Sequence, residues 1–356
     1  MKRTDEPRTT ADERQTDGGS DFETVADVRL SSSERYRQTA DELLMTPARI
    51  VWSDWRARIA VCVLGFYLFL GVFGPLIVSE PSLGEGPVLL GAFYSLEFPL
   101  GTTSRGEDIL AQVIYATRPM LQMVAAGAVF TVIVATIVGT TAGYKGGVVD
   151  SVLMTLTDVM LTIPGLPLVI VLVTVLEIGA NPYLIGVLLS VNAWAGLARA
   201  LRSQVLTLRD AEYVEASRIM GVPTREILSV DIIPNLMPYI TMNFVKQGRA
   251  VIFGSVGLYF LGILPQNSDT QNWGLMIDTA VSDAGAVNSA AAVHWLLAPI
   301  FAVITFAMGL TLFAQSADRL FNPRVRARHA KTTSDDDEPP ERNEGDGTAP
   351  AGVMQG

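Results

Sequence analysis

Two cations stand inside an apolar run, where charge is expensive. Lys246 and Arg249 lie ten to thirteen residues beyond Leu236, among residues that are mainly apolar or small. In a helix rising ~1.5 Å per residue this is about 15–20 Å from the start of the run. An ionised side chain at such depth marks a functional site by default. The chemistry open to an ammonium and a guanidinium here is charge recognition, the holding of a carboxylate on a passing solute. Two plainer readings stay open. The cations pair with Asp158, which lies in another apolar run, or the helix starts later and both side chains reach back to the interface. Asp158 itself reads as a partner for an arginine or a helix end, and as a further charge on a path.

Catalytic chemistry finds little support. His294 and His329 are the only histidines and Cys62 the only cysteine, so no intrachain disulfide forms and no cysteine-based metal site exists. No nucleophile–base–acid triad and no His/Glu zinc spacing is visible, and no cofactor is expected. Gly101 to Gly106 has the glycine spacing of a phosphate cradle, but Glu107 and Asp108 follow where a lysine and a hydroxyl residue are needed. Such a loop repels phosphate, and nucleotide binding by this chain is rejected.

The elements that must position these charges are membrane helices. Of 356 residues 49% are hydrophobic, in clusters, with mean hydropathy +0.34. Several windows approach the ~20 residues that cross a bilayer. The net charge of -10 gives nucleic-acid binding no support. Much of the acid lies in the tails, as at Asp335-Asp336-Asp337-Glu338, which suits a high-salt cytoplasm and equally a generic solvated tail. The first fifty residues are polar, so the first apolar run reads as a span rather than a cleavable signal.

Six spans are expected, over about 57–78, 119–144, 149–176, 183–201, 236–264 and 293–314, giving an all-α membrane protein. Residues 1–50 read as a disordered polar tail with a surface helix near 34–45. Residues 51–118 hold the first span and an external segment, residues 119–325 the core, and residues 326–356 a disordered acidic tail. Trp52, Trp55, Arg56 and Arg58 form an interfacial anchor. Pro164, Gly165 and Pro167 break the third span, as happens where a helix lines a cavity or packs among others. Gly139 and Gly143 allow a close helix approach in the second. Arginine-rich stretches at 56–58, 199–225 and 319–328, with Lys145, put both termini in the cytoplasm.

Between the fourth and fifth spans, residues 201–235 form a loop longer than a simple reversal needs. Glu215-Ala216-Ser217 favours helix, Gly221 breaks it, and Val222-Pro223-Thr224 starts a second, short helix. This is a helix–turn–helix knob presented to the cytoplasm.

Glu215, Ala216, Gly221 and Pro234 resemble the EAA loop of ABC-importer permeases, with Ser217 for the second alanine and Asp231 where many members carry isoleucine. The stretch Phe98-Pro99-Leu100-Gly101-Thr102 through Gly106 and Asp108 is similar to a signature of the dipeptide, oligopeptide and nickel permeases, with Phe98, Thr103 and Glu107 as departures. Ala142-Gly143-Tyr144 with Asp150, Phe260-Leu261-Gly262 with Trp273-Gly274-Leu275-Met276, and Asn322-Pro323-Arg324 extend the resemblance over about residues 57–325. It implies a type I ABC importer permease fold in the plasma membrane. It also implies a coupling role for Glu215, Ala216, Ser217, Gly221 and Pro234. The implied partners are a second homologous permease, two ABC ATPase subunits that carry out ATP hydrolysis, an extracellular solute-binding protein and membrane lipid. Di- or oligopeptides are the favoured substrate; nickel or another small solute is the alternative, and an ion-driven secondary transporter a more distant one.

Overall fold

The computed structural model describes residue 52, residues 54–267 and residues 270–321, with side chains to 316. The expectations for both tails, the Asn322-Pro323-Arg324 ending and His329 lie outside the described residues. Among those described, helices joined by turns and irregular segments make up the structure, with one isolated bridge, Thr102 to Asp108.

Helix α1 (Trp55–Ile77) is capped by Asp54, whose carboxylate accepts from the Arg56 amide. Helix α2 (Ile109–Lys145) runs 37 residues. The sequence pattern starts this helix near Pro119; it begins ten residues earlier, because the Asp108 carboxylate caps it at the Leu110 amide, 2.9 Å away. Pro119 is carried inside the helix. α3 (Gly147–Thr162) and α4 (Gly165–Leu176) bend by 88° at Pro164, and α5 (Pro182–Leu189) and α6 (Trp194–Leu208) by 58°. The Asn192 side chain donates to the Ile163 carbonyl that the first bend frees. Among the described residues three helices are long and apolar enough to cross a membrane, or up to five when each bent pair counts as one span.

Helix α7 (Glu212–Ile219) is followed by α8 (Thr224–Glu226). A π-helical stretch, Ile227–Ile232, then leads into α9 (Ile233–Phe260). The sequence pattern makes the second helix of the knob a separate short piece; the chain instead continues from it into α9. Pro234 lacks the amide that would close the ring to Val230, and a wider turn just before it absorbs the misfit. α9 has the length of a span, but Lys246 and Arg249 dilute its hydropathy. α10 (Trp273–Ser282) and α11 (Val293–Phe321) complete the order.

α2 is central: α1, α5, α6 and α9 all pack on it, and α11 packs on α1, α9 and α10. One core gathers Tyr67, Trp273 and Phe306, whose rings meet at 4.9–5.9 Å, with Met120, Ile252 and Trp295. A second core joins α6, the knob and α9 through Leu201, Val205, Val214, Ile227, Ile232 and Leu236. Glycines set the closeness of α2 to its neighbours. A Cβ on Gly139 would lie 2.5 Å from the Ala198 carbonyl, and one on Gly143 would lie 2.8 Å from Val205 Cβ.

The segment between α1 and α2 folds on itself. Gly86 donates to Gly106, Leu89 to Thr103 and Thr102 to Leu90, all at 2.8–3.0 Å. Glu107 accepts from Thr103 and Gln112. The glycine spacing that resembles a phosphate cradle thus builds a turn seated on the head of α2.

Candidate functional site

The knob is a short amphipathic helix with a defined stop. Glu212 and Glu215 occupy the first turn of α7 and Arg218 the last, the order that complements the helix dipole. Gly221, at φ +76°, reverses the chain. Its amide donates to Arg218 at 3.1 Å and the Val222 amide to Ser217 at 3.1 Å, which is a Schellman ending. Ser217 therefore serves the knob through its carbonyl. Pro234 stands at the first turn of α9. Beside it Asn235 donates to Tyr213 Oη at 3.3 Å and to the Asp231 carbonyl at 2.7 Å, tying α7 to the head of α9.

One face of the knob is buried and the opposite face is bare. Val214, Ile227 and Ile232 are at most 1% exposed and pack with Leu201, Val205, Leu236 and Ile240. Each such side chain contributes about 1.5–3 kcal/mol by leaving water. Motion of the knob must therefore carry α6 and α9 with it. On the other side Glu215 and Ala216 are exposed, and at the tip Ile219 is 81% and Met220 74% exposed. An apolar pair so open, rimmed by charge, is the form of a docking surface. Sequence reasoning missed Tyr213, Ile219 and Met220; the signal available was an apolar pair next to the breaking glycine in an otherwise charged loop.

Lys246 and Arg249 are brought together, and Asp158 is not. The two cations lie on the exposed stripe of α9, one face that also carries Ala250 and Phe253. They flank a groove of about 210 Å³ between α9 and α11, lined also by Met242, Thr311 and Gln315. Arg249 Nη1 donates to Thr311 Oγ1 at 3.2 Å. Asp158, on α3, is paired with Arg199 of α6, and both side chains are more than half exposed. Pairing of Asp158 with the α9 cations is thereby replaced by pairing with Arg199. A second pair between the same helices, unforeseen from sequence, joins Arg202 to Asp150 through two hydrogen bonds of 2.5 Å. Such a fork fixes orientation as well as charge. Among the described residues no cluster of three metal-ligating side chains occurs.

Residues 135–327 match the family described as "Binding-protein-dependent transport system inner membrane component". The chain is 29% identical over 303 residues to an oligopeptide transport system permease protein of Haemophilus influenzae, covering 80% of this chain and 92% of that protein. It is 26% identical over 311 residues to a dipeptide transport system permease protein of Bacillus subtilis, covering 85% and 94%. An oligopeptide permease protein of Bacillus subtilis is 32% identical over 224 residues, covering 63% of this chain and 72% of the relative.

Proposed function

The chain belongs to the binding-protein-dependent transport system inner membrane components, and from that premise we propose that it is a permease subunit of an ATP-driven importer of di- or oligopeptides. Members are multi-pass inner-membrane permease components of ABC transport, and ATP hydrolysis is carried by a separate subunit. The peptide substrate is suggested by what the relatives are called. Six spans with both termini cytoplasmic, a homologous second permease, two ATPases and an external solute-binding protein complete the reading.

The observation that carries it is the bare tip of the knob. Ile219 and Met220 are solvent-open while Val214, Ile227 and Ile232 lock the same loop onto α6 and α9. A partner that grips the tip acts on two membrane helices at once. In this reading the ATPase closes on ATP, drags α7 and rotates α6 and α9, and the cavity shared with the second permease switches sides. Glu215, Ala216, Ser217, Gly221 and Pro234 form or position the gripped surface. Lys246 and Arg249 line the path: a stripe bearing two cations costs several kcal/mol against lipid and calls for water or a second subunit on that face.

The test is co-purification from native membranes of the intact chain beside Glu215→Lys and Ile219→Glu, both at exposed positions. The ATPase should accompany the intact chain and be lost from both variants. Equal recovery with all three would overturn the coupling role.

A further inference from the structure

A second charged cleft lies where the knob meets the ends of α2 and α6. It has a volume of about 490 Å³, and its wall is supplied by the end of α2 (Tyr144, Lys145), the end of α6 (Arg209, Asp210), α7 (Arg218) and the start of α8 (Thr224). Three cations from three elements meet one carboxylate, so the cleft is net positive. The guanidiniums are held in place by the fold. Arg209 Nη1 donates to the Gly143 carbonyl at 3.3 Å and its Nε faces Asp210 at 3.4 Å. Arg218 lies 5.5 Å over the Tyr144 ring and donates to the Arg209 carbonyl at 3.4 Å. Several of the five N–H groups of each guanidinium have no role in these contacts. Lys145 is exposed at the rim.

The depth of the cleft follows from α2. Between Arg118 and Lys145 the helix has no charged residue. That interval, at 1.5 Å per residue, is about 40 Å, close to the ~40–45 Å of a bilayer with its headgroups. Arg118 and Lys145 therefore mark the two headgroup layers, and Tyr144 stands at the level where aromatic side chains gather. A cleft at this level meets a phosphodiester attached to a lipid before it meets a soluble anion. Fixed guanidiniums suit phosphate oxygens geometrically.

We propose that the cleft formed by Lys145, Arg209 and Arg218 binds the phosphate of one anionic lipid headgroup. The bound headgroup bridges α2, α6 and α7, and so ties the knob to the membrane surface. A zwitterionic lipid is disfavoured because its own cation would enter a cleft that is already positive. The inference needs only that α2 crosses the membrane and does not rest on the transport reading.

The assembled complex, in nanodiscs of phosphatidylcholine with 0, 10 or 30% phosphatidylglycerol, tests it by native mass spectrometry of the lipid retained per chain. The intact chain should retain one phosphatidylglycerol in preference to phosphatidylcholine. Lys145→Gln should weaken retention about fivefold, from the value of one basic residue at an anionic surface, and Lys145→Glu more. Arg225→Gln, which removes a charge on the same loop but outside the cleft, should leave it unchanged. The proposal falls if Lys145→Glu retains as much lipid as the intact chain, or if Arg225→Gln loses as much. It falls equally if millimolar inorganic phosphate displaces the lipid, since the cleft would then serve a soluble anion.

Discussion

Replacing Gly139 with alanine tests how α2 holds α6, the helix that leads into the knob. The added Cβ would lie 2.5 Å from the Ala198 carbonyl oxygen and 2.9 Å from Leu201 Cβ. Carbon contacts are comfortable at about 3.5–4.0 Å, so the helices must part by several tenths of an ångström to about 1 Å. Overpacking of this kind costs about 1–3 kcal/mol. The better helix propensity of alanine returns up to about 1 kcal/mol. The net expectation is a loss of about 1–2 kcal/mol for Gly139→Ala. Gly143→Ala meets Val205 Cβ at 2.8 Å and the Arg202 carbonyl at 2.9 Å on the same helix. One separation relieves both clashes, so the double variant should lose less than the sum of the singles. Gly65→Ala is the control, because its Cβ would have nothing within 4 Å; it should be neutral or slightly stabilising. Reversible unfolding in mixed micelles of increasing SDS fraction reads all four variants against the intact chain. If Gly139→Ala is as stable as Gly65→Ala, the reasoning about this helix contact is refuted.

Three further outcomes are expected. Lys246→Gln with Arg249→Gln should shift selectivity among peptides of different charge in reconstituted uptake while ATPase co-purification stays intact; unchanged selectivity removes these residues from the path. Arg202→Gln leaves the mostly buried Asp150 carboxylate without its two hydrogen bonds. It should cost about 2 kcal/mol in the same unfolding assay, and a loss below about 0.5 kcal/mol would mean the fork is solvent-compensated. At Asp108 burial pushes the carboxyl above its ordinary value, while the Leu110 and Ala111 amides pull it down. The folded state therefore holds that proton more firmly than the unfolded state. Its stabilising contribution is full below the ordinary carboxylate value near pH ~4, and declines as pH rises through the raised folded value. Asp108→Asn keeps the capping oxygen and removes the titration, so the stability difference between wild type and variant should change with pH in that window. Parallel curves from pH 4 to 7 would contradict it.

The membrane class was legible because it rests on a one-dimensional property. Runs of apolar residues about twenty long have few alternatives, and α1 and α11 begin within two residues of where the pattern puts them. The knob was legible because Gly221 and Pro223 punctuate locally; the Schellman bonds to Arg218 and Ser217 close within five residues. The start of α2 was misread because Pro119 is a strong local breaker, whereas Asp108 caps the helix from eleven residues upstream and proline is tolerated where neighbours satisfy the backbone. The bare tip was missed because Ile219 and Met220 look like core residues in any linear reading.

Composition and spacing alone determined that this chain is a bundle of membrane helices with a helix–turn–helix between the fourth and fifth runs, since hydropathy and turn chemistry act over neighbouring residues. Only the tertiary structure decided which charges meet. Arg199 takes Asp158, Arg202 takes Asp150, and Lys246 and Arg249 share one groove. Three cations more than sixty residues apart at their extremes converge beside the knob. Those pairings depend on the 88° and 58° bends and on glycines that set the distance between α2 and α6. Charge is recognised through space, and the spacing in space is fixed by packing that no local stretch of sequence contains.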